Sequence, residues 1–130
     1  KYSEEFNIYA GPKETLQNGI KLFKSVASEN DRDEKTLEIT TACPPVVGLT
    51  KESVDNSLIS AANKLIQPED EIAKNWKDRS YLYGTPEDVV KTLSMWQEVG
   101  IEAVYLQLLD LEQSKRDESV EVIQKAINLL

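Results

Sequence analysis

The sequence predicts an α/β fold built on a parallel sheet. Three observations carry that expectation: helix and strand signals alternate along the chain, the connections between them are short, and the strand segments are apolar almost throughout. The stretch YLYGTPEDVVKTLSMWQEVGIEAVYLQLLD, residues 81–110, shows all three at once.

Within that stretch Thr85 is a good N-cap, Pro86 suits the first helical position, and Glu87 and Asp88 put negative charge in the first turn. Thr85 with Asp88 resembles a capping box in which Asp stands for the usual Glu or Gln. Val89, Leu93 and Trp96 fall at i, i+4 and i+7, with Val90 and Val99 widening one buried stripe. Gly100 sits where a left-handed C-terminal residue belongs. Ile101, Ala103, Val104, Tyr105, Leu106, Leu108 and Leu109 then form a nearly continuous apolar run, suited to a strand covered on both faces. The spacing predicts a helix over 86–99 and a strand over 102–108.

The other elements follow the same grammar. Phe6, Asn7, Ile8 and Tyr9 read as a short strand feeding a helix that opens at Pro12 and carries Leu16, Ile20, Phe23 and Ala27. A charged turn, DRDEK, leads into the strand segment TLEITTACPPVVGL, in which the proline pair is expected to mark an irregular strand or a cis bond. Thr50 caps a helix with Val54, Leu58, Ala61 and Leu65, stopped by Pro68. A short helix over 69–77 and then a loop are expected next. Val120, Ile123, Ile127 and Leu130 place a last helix in ESVEVIQKAINLL. The order is β-α-β-α-(α)-α-β-α, with right-handed crossovers.

At 130 residues the chain is one domain, long enough to bury a core without staples. A net charge of −8 repels phosphate backbones and anionic lipid, so neither nucleic acid nor membrane is expected as a partner. No apolar run approaches the length of a membrane span. The single cysteine, Cys43, excludes an internal disulfide and suits a reducing, cytoplasmic compartment. The absence of histidine removes every Ser-His or Cys-His catalytic arrangement. The opening KYSEEFN has neither an initiator methionine nor the apolar core of a signal peptide, and reads as a processed or truncated product.

Few residues announce chemistry. With no histidine or basic run beside it, Cys43 reads as a small buried hydrophobe rather than a reactive thiol. The acidic clusters at 29–34 and 69–71 lack the rhythm of a calcium loop and read as solvated turns and a helix start. Trp96 lies on an apolar helical stripe and reads as core, whereas Trp76 is a candidate binding platform. The five glycines stand singly, which rejects a Rossmann or P-loop reading. Three strands also leave long apolar sheet edges, so either another chain covers them or the sheet is part of something larger.

Four stretches, YSEEFN at 2–7, GPKETL at 11–16, GLTKES at 48–53 and GTPEDVVKTLSMWQEVGIEAVYLQ at 84–107, bring in a family. In order and spacing they make the chain similar to the C-terminal region of the luciferase-like flavin-dependent monooxygenases and their relatives that use the deazaflavin F420. The last stretch is the most specific. The resemblance implies the C-terminal part of a (β/α)8 TIM barrel, about three parallel strands with flanking helices. A whole barrel takes roughly 250 residues. The front half, which carries most of the family's flavin-phosphate contacts, has no counterpart here. By resemblance the complete protein is an oxidoreductase acting on a small molecule with FMN or F420. This chain alone is an incomplete enzyme whose partner is either the missing N-terminal half or a second copy in a homo-oligomer. A non-catalytic half-barrel that self-associates through its sheet edges is the alternative.

Active sites in such barrels lie at the C-terminal ends of the strands, here 7–11, 42–45 and 107–110. The resemblance therefore nominates Asn7, Tyr9 and Gln107 as cofactor-binding residues. Asn7 is a polar contact to the flavin or a turn amide satisfying local backbone; Tyr9 flanks the isoalloxazine ring or packs in the core. Gln107 faces the barrel mouth or is a buried amide bonded to the next strand. No catalytic residue and no metal ligand is nominated.

Overall fold

A computed structural model describes residues 4–109 and 112–130. Tyr2 and Ser3 of the first matched stretch and Asp110 at the last strand end lie outside the described residues. The chain runs β1 (Glu5–Tyr9), α1 (Lys13–Glu29), β2 (Glu38–Cys43), β3 (Val46–Val47), α2 (Lys51–Leu65), α3 (Glu69–Asp78), β4 (Tyr83–Gly84), α4 (Pro86–Val99), β5 (Ala103–Leu106) and α5 (Gln113–Asn128). Strands β1, β2 and β5 form one parallel sheet with β2 in the middle, and β3 and β4 pair as a second, two-residue ladder.

Strand parity decides what each side of the main sheet does. Phe6, Ile8, Ile39, Cys43, Val104 and Leu106 point toward the helices and belong to the main core. Phe6 stacks on Phe23 of α1, with ring centroids 3.8 Å apart, and Leu16 is fully buried beside them. Thr41 falls on this apolar side, and its hydroxyl donates to the Ile8 carbonyl at 2.7 Å, which meets the need of a buried polar group. The alternate residues face away from the helices.

Helix α4 forms as its sequence dictates. The Thr85 backbone N–H donates to the Asp88 carboxylate at 3.3 Å, closing the box, and Gly100 ends the helix at φ 97°. Val89, Leu93 and Trp96 are buried as expected. Thr50 caps α2 by accepting the Ser53 N–H at 3.2 Å.

Three expectations need correction. The segment 36–49 is not one strand: Pro44 and Pro45 cannot donate to a ladder, so β2 stops at Cys43 and the chain resumes as β3. The peptide bonds there are trans. The loop expected before α4 contains β4, two residues that pair with β3 and are too short to leave a periodic signal. The last helix begins at Gln113, and it buries Ser119, Val122, Ile123 and Ala126, while Val120 and Ile127 are about half exposed. Small residues on the buried face let α5 approach α4, and a reading weighted toward large aliphatics misses that.

Candidate functional site

The face of the sheet turned away from the helices is polar and open. Register sets it out in rows: Glu5 beside Glu38, Asn7 beside Thr40 and Ala103, then Tyr9, Ala42 and Tyr105 side by side. The Asn7 amide donates to the Thr40 hydroxyl at 2.9 Å, and that hydroxyl donates in turn to the Glu5 carboxylate. The Tyr105 hydroxyl reaches across β2 to the other Glu5 oxygen at 3.2 Å. Glu5, with Glu38 behind it, raises the Tyr105 phenol above its ordinary value, since removing that proton would add a like charge.

The three nominated residues thus take definite places. Asn7 bonds a side chain of the next strand, not local backbone. Tyr9 is 87% exposed on the open face and packs in no core. Gln107 is exposed just past β5, its backbone N–H donating to the Cys43 carbonyl at 3.1 Å. Asn7 and Tyr9 share a strand face, and Gln107 follows Tyr105 with the same parity. Sequence reasoning missed Tyr105 and Thr40. The signal was available: in a strand, residues two apart line one face, so Tyr105 accompanies Gln107.

The row Tyr9–Ala42–Tyr105 is the aromatic part of this face. Strands lie about 4.8 Å apart, so Tyr9 borders a small floor at Ala42, and Tyr105 on the other side turns its ring across β2 toward Glu5. The described face carries no lysine or arginine, so it suits an uncharged ring and gives no anchor for a phosphate. Among the described residues no group of acids, Cys and His could hold a metal ion, and no helix is long and apolar enough to cross a membrane.

A separate cavity of about 320 Å³ lies at the C-terminal ends of β2 and β5, with Pro44, Trp76, Arg79, Tyr81 and Gln107 in its wall. The Trp76 indole donates to the Pro44 carbonyl at 2.7 Å and meets the Tyr81 ring edge-on at 5.4 Å. Trp76 is thereby locked and mostly buried.

Cys43 borders this region from the core side and is fully buried, as its apolar strand context suggested. Burial pushes its thiol up to about 11, against a weaker opposing backbone hydrogen bond at Leu82. Below about pH 9 both native and unfolded chains keep this proton and stability is unaffected. Between about 9 and 11 the unfolded chain ionises while the native one does not. Stability should therefore fall across that window, by up to about 3 kcal/mol. Urea unfolding from pH 8 to 11 of wild type and Cys43→Ala checks this: the extra alkaline loss should vanish in the variant, and parallel curves would contradict it.

The fold is shared with part of each of two solved TIM-barrel enzymes. One similar solved structure is an F420-dependent secondary alcohol dehydrogenase in complex with an F420-acetone adduct (20% identity, TM-score 0.66), covering 96% of this chain and 43% of its own. Another is a riboflavin lyase with modified FMN and riboflavin (12% identity, TM-score 0.64), covering 100% of this chain and 39% of its own. The chain thus spans about two-fifths of the length of these structures. No family model and no curated protein matches the sequence.

Proposed function

We propose that this chain is the C-terminal portion of a luciferase-like oxidoreductase using FMN or F420, and that it supplies one wall of the cofactor site in a reducing, cytoplasmic compartment. The observation that carries the reading is the Tyr9–Ala42–Tyr105 row on an open sheet face, within a fold shared with enzymes whose structures hold an F420 adduct and a modified FMN. When bound, the cofactor supplies the redox chemistry, by oxygen activation from reduced FMN or hydride transfer from F420. The residues of this chain orient its ring and exclude water. Tyr9 and Tyr105 flank the ring, Asn7, held by the buried Thr40 hydroxyl, offers a polar contact below it, and Gln107 stands at the mouth. Without a basic group on this face the phosphate is held by the remainder of the barrel, so the chain alone is an incomplete enzyme.

Flavin fluorescence titrations test this. Riboflavin and FMN should show the same weak, saturable quenching, at least tenfold weaker in a Tyr9→Ala/Tyr105→Ala double variant. No quenching by either compound sinks the reading, and a tight one-to-one yellow complex with FMN sinks the claim of incompleteness.

A second reading, a non-catalytic half-barrel that self-associates, draws on the open edges of β1 and β5. Light scattering separates the two: a monomer at micromolar concentration rules out self-association.

A further inference from the structure

We infer that the cavity at the ends of β2 and β5 is a substrate subsite, taking a small molecule with an apolar body and an anionic head, carboxylate or phosphate. The inference rests on the oxidoreductase reading, whose cofactor face it adjoins through Gln107. Its volume, about 320 Å³, is at the lower end for small-molecule sites, and its lining has the usual mixture of apolar walls and few polar groups. Pro44, Leu65, Trp76 and Leu109 form the apolar part.

The head group is assigned by Arg79. Among the described residues it makes no ion pair, while its neighbour Asp78 is held by Lys74 at 3.2 Å. The guanidinium lies over the Tyr81 ring, 6.0 Å from the centroid, which holds a planar fork of donors beside the cavity. Such a fork matches two oxygens of one anion. The amides of Gln67, Asn75 and Gln107 supply further donors in the same wall.

Backbone geometry points to the same place. Ile66 and Ser80 are non-glycine residues at φ 55° and 51°, the first a β-branched residue in a conformation that costs it free energy. Their neighbours on both sides, Leu65 and Gln67, then Arg79 and Tyr81, are cavity residues or border them. The two turns are those that end α2 and α3, and both border the cavity.

Calorimetric titration of the chain with phenyl phosphate, benzoate and benzyl alcohol, without cofactor, tests the assignment. The two anions should bind saturably and more tightly than the alcohol. Arg79→Gln should weaken the anions at least tenfold and leave the alcohol unchanged, with Arg79→Lys in between. Anion affinity within twofold of wild type in Arg79→Gln overturns the proposal, as does the absence of anion binding. Displacement of phenyl phosphate by FMN but not by riboflavin also overturns it, because the anion is then the cofactor's own phosphate. None of these outcomes depends on whether the tyrosine face binds a flavin ring.

Discussion

Trp96→Ala should destabilise the protein by about 3–5 kcal/mol, lowering the thermal midpoint by roughly 10–20 °C. Trp96 is 2% exposed and lies in the core beneath the main sheet, among Leu93, Ile101 and the buried face of α5. Truncation leaves a void that helices anchored at both ends cannot close. One feature makes the residue diagnostic: its indole N–H is buried with no hydrogen-bond partner. A group left that way costs about 1–3 kcal/mol relative to one that is satisfied. Trp96→Phe deletes the polar atom while keeping a ring, so its cost should be below about 1.5 kcal/mol. Denaturant unfolding of both variants decides: equal losses for Phe and Ala would mean that the N–H is satisfied and that ring shape alone governs the site.

The sequence made the long, strongly marked elements legible because their causes are local. Capping at Thr85, a stripe through Val89 and Trp96, and Gly100 in the left-handed region fix α4 without help from the rest of the chain. The β3–β4 ladder is a different case. Each strand is two residues long, and only the partner 37 positions away distinguishes Tyr83–Gly84 from loop. The register of α5 was hidden for another reason: its buried face mixes Ser119 and Ala126 with Val122 and Ile123, and tertiary packing, not hydrophobicity, chose it.

The candidate site divides along the same line. Asn7, Tyr9 and Gln107 were reachable through resemblance and strand ends. The hydrogen-bonded row that includes Thr40 and Tyr105 depends on register between three strands, which no single segment encodes. The cavity beside Arg79 was further from reach. It needs α3 to fold back on the proline break after Cys43, and the bond from Trp76 to Pro44 spans 32 residues. Apart from Trp76 and Gln107 its residues gave no signal, and the region 67–84 looked merely irregular.

That fold-back depends on how closely α2 is set against β3, and Gly48 is where the approach is tightest. A Cβ added there would lie 2.4 Å from Ser53 Cβ, 2.5 Å from the Ser53 carbonyl carbon and 2.5 Å from the Val54 nitrogen. The last two are backbone atoms in the first turn of α2, so no side-chain rotation relieves the clash. The helix is also tied down there, since the Ser57 hydroxyl donates to the Val47 carbonyl at 2.7 Å. Gly48→Ala must therefore shift α2 bodily or break its cap, at a cost of about 3 kcal/mol or more, the upper end for overpacking. Because Leu65 at the far end of α2 walls the cavity, binding of phenyl phosphate should weaken along with stability. Gly100→Ala is the control. Its φ of 97° makes alanine unfavourable by about 1 kcal/mol, yet nothing lies within 4 Å of the added methyl. If urea unfolding gave the two variants the same loss, the close approach at Gly48 would be wrong, and with it the placement of α2 that brings Leu65 to the cavity.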